Sequence, residues 1–231
     1  MTKLNKLLFV HIPKTGGLSL NLALANIFSQ EKSIRFGDDK TKENFRNKLS
    51  TSELLNYDYI TGHFPLQTFR NKGILYPAVT IIRNPVDRLL SMYNYLRQSK
   101  HPDHQNLKFK NINNFVDYIL ENDIYDNIQC RYIGGERTYN TTVKLIKNEL
   151  IYVVPLDKFN DINTTLDRLL GKPLKISHIN KSDKKQSQTQ DKFVIENKLK
   201  KCWEEDMNFY VSVMNNYSQN KQVFLDKLDV F

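Results

Sequence analysis

The chain has 231 residues, 40% of them hydrophobic and 26% charged, with only 8 glycines and 7 prolines; this suits one α/β domain over 1–231 and excludes collagen-like or low-complexity sequence. A formal net charge of +9 favours polyanions as partners, whether nucleic acid, anionic membrane, acidic glycan or nucleotide. Two cysteines, Cys130 and Cys202, make no disulfide framework, the apolar run near the N-terminus is too short for a signal-peptide core, and no stretch reaches the ~18 apolar residues of a membrane span; the expectation is a cytoplasmic protein with free thiols.

In chain order, LLFVHI (7–12) reads as a strand that breaks into the loop IPKTGG and then an apolar helix, LSLNLALANIF (18–28). DYITGH (58–63), AVTIIR (78–83) and LIYVVP (150–155) read as further strands, each nearly continuous in apolar residues, the pattern of a parallel sheet covered on both faces. Helices are expected over 87–97, with Leu89, Tyr93 and Leu96 on one face, over 113–122, and over 161–172 with Gly171 as its C-cap. One or two more are expected within 191–217. The polar stretches 31–52, 98–112 and 181–191 read as loops or insertions. Strands alternating with helices predict a three-layer fold around a mainly parallel sheet, with ligands at the carboxyl ends of the strands.

Two stretches at those ends carry chemistry. In FVHIPKTGGLS (9–19), Gly16 and Gly17 let backbone approach a ligand, the first amides of the following helix favour an anion, Lys14 adds positive charge, and Thr15 and Ser19 add hydroxyls. This is a phosphate cradle without the Walker order, because Lys14 precedes both glycines. In VTIIRNPVDRLLSMYNY (79–95), a strand delivers Arg83, Asn84 caps the next helix, Pro85 takes its first position and Asp87 its third, with Ser91 further in and Arg88 beside it. Arginine at a strand end is suited to a phosphate. His101 and His104 lie in a polar loop with no third ligand of the right type, so no metal is expected.

Together, HIPKTGGLSL and IIRNPVDRLLSMYNY resemble the two signature segments of sulfotransferases that use 3′-phosphoadenosine 5′-phosphosulfate (PAPS), in particular the glycan branch that includes heparan sulfate 2-O-sulfotransferase. The resemblance implies a P-loop-like fold, a 5′-phosphosulfate held by Lys14, Thr15, Gly16, Gly17, Leu18 and Ser19, and a 3′-phosphate held by Arg83 and Ser91. Leu18 stands where the family usually has threonine. YITGHF (59–64) is similar to the family segment that supplies the catalytic base, which implies His63; a second family histidine is replaced here by Thr61. YDNIQCRYIGG (125–135) resembles a segment on the acceptor side, and HINKSDKK (178–185) a loop over the nucleotide, implicating Lys181 and Ser182. The implied reaction is sulfuryl transfer to a hydroxyl, by resemblance on a glycan, with a peptide tyrosine or a small metabolite left open as acceptor; His63 and Lys14 would be catalytic, no metal is required and no nucleic-acid partner is expected. Two rivals are an ATP-dependent P-loop kinase, which lacks its Walker sequence here, and a non-catalytic binder of RNA or acidic glycan, which leaves Lys14, His63 and Arg83 unexplained.

Overall fold

The structure, a computed structural model, describes residues 3–98, 109–176 and 187–230. The elements run β1 (Leu7–Val10), α1 (Gly17–Phe28), β2 (Ser33–Phe36), α2 (Asp39–Asn47), α3 (Thr51–Leu54), β3 (Tyr59–Gly62), α4 (Leu66–Asn71), β4 (Ala78–Ile82) and α5 (Pro85–Gln98). They continue with α6 (Ile112–Glu121), α7 (Ile128–Gly134), α8 (Tyr139–Asn148), β5 (Ile151–Pro155), α9 (Phe159–Leu170), α10 (Ser187–Lys198), α11 (Lys200–Asn215) and α12 (Tyr217–Val230).

The five strands form one sheet in the order β2-β3-β1-β4-β5, and all four pairings are parallel. Successive strand residues point to opposite faces, which gives two cores. Leu8, Val10, Ile60 and Val153 pack with Phe45 of α2, Phe69 of α4, Ile133 of α7 and Phe209 of α11. Leu7, Phe9, Tyr59 and Val154 pack on the other face with Leu20 and Leu24 of α1, Leu166 and Leu169 of α9, and Phe224 of α12. Both faces are covered, so the strands read as apolar runs, and the three-layer α/β expectation holds. A third cluster, apart from the sheet, joins Leu89 and Tyr93 of α5, Phe115 of α6 and Ile195 of α10.

Several local expectations hold. Asn84 Oδ1 accepts from the amides of Val86 and Asp87, at 3.1 and 3.2 Å, and so caps α5. Gly171 ends α9 with φ 63°. The stretch 31–52 differs from the expected loop: it holds β2, α2 and the start of α3. β2 is an edge strand with only Phe36 buried, and α2 buries only Phe45, so neither shows the apolar periodicity that marks an element. The stretch 181–191 likewise contains the start of α10 at Ser187, and the C-terminal region forms three helices separated at Leu199 and Asn216.

Candidate active site

β1, β3 and β4 end side by side, and their carboxyl ends open into one cleft of about 1400 Å³. Lys14, Gly16, Gly17, Leu18, Ser19, His63, Arg83 and Ser91 all line it. Residues 101–104, with His101 and His104, and residues 177–186, with Lys181 and Ser182, lie outside the described residues.

The loop after β1 is shaped by unusual backbone. Lys14 has φ 68° and Gly16 φ 84°, both left-handed. Such a conformation costs a non-glycine residue roughly 1–2 kcal/mol, so the fold holds Lys14 in place against its own preference. A Cβ on Gly16 would also come within 2.8 Å of Leu156. At Gly17 a Cβ would meet the rings of His11 and Phe9 at 2.7 and 2.8 Å, both of them buried. The helix α1 then starts with no side-chain cap on its first turn, leaving its leading amides to an outside acceptor. Thr15 behaves differently from its neighbours: it is fully buried, and its hydroxyl donates to the Ile12 carbonyl at 2.9 Å.

Two cations converge on this loop. The Lys14 ammonium lies 3.9 Å from the centroid of the Tyr95 ring. Burial, with the Arg83 charge second, lowers its pKa from 10.5 to about 8. Arg83 follows β4 directly, and its Nη1 donates to the Lys14 carbonyl at 3.4 Å; burial lowers its pKa as well, against the pull of Asp87 and Asp157. Neither makes an ion pair with a carboxylate among the described residues. Two desolvated cations beside uncapped helix amides are stabilised by an anion.

His63 stands just beyond β3, across the cleft. Its Nδ1 is 2.8 Å from the His11 carbonyl. A carbonyl only accepts, so Nδ1 carries the hydrogen and Nε2 keeps its lone pair. Burial is the main cause that lowers its pKa; the His11 bond opposes this, and Lys42 and Arg35 add to the lowering. The ring is therefore neutral near pH 7, with a base at Nε2. Position 61, where the resemblance lacks a second histidine, is a buried threonine on β3. The ring that actually meets His63 is that of His11, with centroids 4.5 Å apart; burial and then the His63 charge hold its pKa well below the usual histidine value. His11 lies within the stretch 7–12 that reads as a strand and follows the observed end of β1 at Val10, but only the parallel pairing of β1 and β3 brings it beside His63.

The segment 125–135, which the resemblance places on the acceptor side, contains α7 and lines the cleft with Tyr125, Ile128, Arg131 and Tyr132; two of its contacts carry no signal in the sequence. Tyr132 donates its hydroxyl to the His63 carbonyl at 3.2 Å, and the Gln129 side chain bonds both backbone groups of Arg83. Arg35, Lys42 and Arg131 line the same cleft, along with Asp38 and Asp39, and the charges of Lys42 and Arg35 act on His63. Arg88, which the sequence places beside Ser91, is instead fully buried; Asp206 of α11, also fully buried, is its main opposing charge.

No curated protein sequence matches the chain. Among solved structures, mouse sulfotransferase SULT7A1 complexed with PAP aligns at 14% identity with a TM-score of 0.47, over 84% of this chain; the chain spans 64% of that one. The family model described as Sulfotransferase family matches residues 1–133, more than half the chain and the part that holds the loop after β1, His63, Arg83 and Ser91; the chain belongs to the sulfotransferase family.

Proposed function

We propose that this protein transfers a sulfuryl group from PAPS to an acceptor hydroxyl on a glycan, as the branch that includes heparan sulfate 2-O-sulfotransferase does. The observation that carries the reading is the pairing, across one cleft, of a neutral histidine with its Nε2 lone pair available and a glycine loop flanked by two cations that, among the described residues, have no carboxylate partner. The loop amides of residues 15–19 and Lys14 would hold the phosphosulfate end, and Arg83 with Ser91 the 3′-phosphate. PAPS supplies an activated sulfuryl group on a phosphate leaving group. His63 Nε2 takes the proton from the acceptor hydroxyl, while Lys14 and the helix amides offset the charge that grows on the departing phosphate oxygens. Leu18 offers the loop its amide and no hydroxyl, and Ser19 retains one. Arg35 and Lys42, whose charges act on His63, and Arg131 elsewhere in the cleft lining favour an acidic glycan. Among the described residues no helix is long and apolar enough to cross a membrane. Cys130 and Cys202 are buried and unbridged, which supports a cytoplasmic setting.

The product 3′-phosphoadenosine 5′-phosphate (PAP) tests this directly. At a hundredfold excess over Kd, a ligand that binds only the folded state adds about 2.7 kcal/mol of stability, and each kcal/mol raises the melting temperature of a chain this size by roughly 2–4 °C. PAP with a chelator present should therefore raise the melting temperature by several degrees, and Mg-ATP by much less. A larger shift with Mg-ATP would point to a kinase; no shift with either, alongside salt-sensitive polyanion binding, would point to a non-catalytic binder. Radiolabelled transfer to a uronate-containing polysaccharide, with none to a neutral one, would support the acidic acceptor. The reverse preference would refute it.

A further inference from the structure

We infer that Gln129 is the positioning residue of the nucleotide site: its side chain sets where Arg83 stands, and so how tightly the 3′-phosphate is held. The inference rests on the assignment of Arg83 proposed above. β4 ends at Ile82 and its pairing with β5 ends at Pro155, so Arg83 lies one residue past the last strand that could fix its backbone. Gln129 takes over there. Its Oε1 accepts from the Arg83 amide at 2.8 Å and its Nε2 donates to the Arg83 carbonyl at 2.9 Å. An amide donates and a carbonyl accepts, so only one orientation of the carboxamide satisfies both bonds.

Gln129 is itself fixed. It is fully buried, and its amide donates to Asp206 Oδ2 at 3.1 Å while the amide of Cys130 donates to Oδ1 at 2.8 Å. Asp206 in turn donates its own amide to Asn127 Oδ1 at 3.1 Å, and the Asn127 amide donates to the Cys202 carbonyl at 2.8 Å. The first turn of α7 is thus clamped to α11 from both directions. This arrangement needs a side chain that is both donor and acceptor and long enough to span one residue's amide and carbonyl, which glutamine is. Both polar atoms of its carboxamide go to the residue that carries the guanidinium.

The test measures PAP and adenosine 5′-phosphate binding by calorimetry in the full chain. Wild type should prefer PAP; equal affinity for the two would refute the 3′-phosphate assignment itself, and this inference with it. Given that preference, Gln129→Leu strips both Arg83 backbone groups of a partner and should weaken PAP roughly tenfold, the scale of one or two misplaced hydrogen bonds, with adenosine 5′-phosphate little changed. Gln129→Glu keeps the acceptor and loses the donor, and should fall between. In an Arg83→Ala background Gln129→Leu should cost nothing further, because its effect passes through Arg83. Normal PAP affinity in a folded Gln129→Leu variant, or a loss that adds fully to that of Arg83→Ala, would overturn the inference. So would failure of both single variants to fold, which would make Gln129 a residue of the core alone.

Discussion

Replacing His63 with alanine should lower turnover at least ~100-fold at saturating acceptor, the lower bound of what a positioned base contributes, and leave PAP affinity close to wild type. The geometry separates the two effects. His63 stands beyond β3, whereas the groups assigned above to the nucleotide follow β1 and β4. The substitution also leaves the buried side of the His11 carbonyl without its donor, a loss of about 1–3 kcal/mol, so the assay belongs well below the melting temperature. His63→Asn sharpens the reading, since its amide can still donate to that carbonyl but offers no base. If the asparagine variant matches alanine in rate and exceeds it in stability, the proton acceptor is Nε2. Full turnover in either variant would place the base elsewhere.

Lys14→Ala should lower kcat by ~10²–10³, the range seen when one preorganised charge-stabilising donor is removed. The pH profile makes the test specific. Lys14 must be protonated to act, and its pKa in the free protein has fallen to about 8, so kcat/KM should decline as pH rises through that region. His63 must be neutral, and its pKa is lowered from 6.5, so the acid limb should lie below the usual histidine range. The profile is then a narrow bell whose alkaline limb belongs to Lys14; Lys14→Arg should carry that limb to higher pH, and Lys14→Ala should abolish it. Because Lys14 is held at φ 68°, Lys14→Gly should be more stable than Lys14→Ala by about 1–2 kcal/mol. An equal rate loss in both variants would show that the ammonium, and not the strained backbone, supports the reaction. An alkaline limb that survives in Lys14→Ala would assign it to another group.

What could be read from the sequence was what repeats locally. The strands of the sheet centre are continuous apolar runs, and the Asn84–Pro85 start of α5 and the Gly171 end of α9 are written in adjacent residues. The two motif loops could be placed at strand ends for the same reason. The edge strand β2 could not, because only Phe36 among its four residues is buried, although Asp38 and Thr41 form a capping box at α2 that a reading for caps could have caught. The remaining omissions are tertiary. His11 meets His63 across a strand pair, Gln129 meets Arg83 from another helix, and Arg88 is fully buried under the influence of the Asp206 charge, without a hydrogen bond to it, where helical spacing alone suggested a flank of Ser91. A buried arginine and a buried carboxylate far apart in sequence carry no local signal of each other.

The all-parallel sheet has a consequence for how the site comes into being. Neighbours in such a sheet cannot be joined by a hairpin, so every pairing must close a long loop before it gains anything. Leu8 has to find both Ile60 and Ala78, and until it does the loop after β1 has no walls. The matched residues 1–133 carry the motifs, yet they stop short of β5, which lies along β4 from Ala78–Ile151 to Ile82–Pro155, and short of Leu156, which sits against Gly16. They also lack the α9 and α12 side chains that cover Leu7 and Phe9. The walls around the motif-bearing stretch are therefore completed only with the C-terminal half: the nucleotide binding proposed above should arise late in synthesis, and nucleotide retention by nascent chains of increasing length would report that moment.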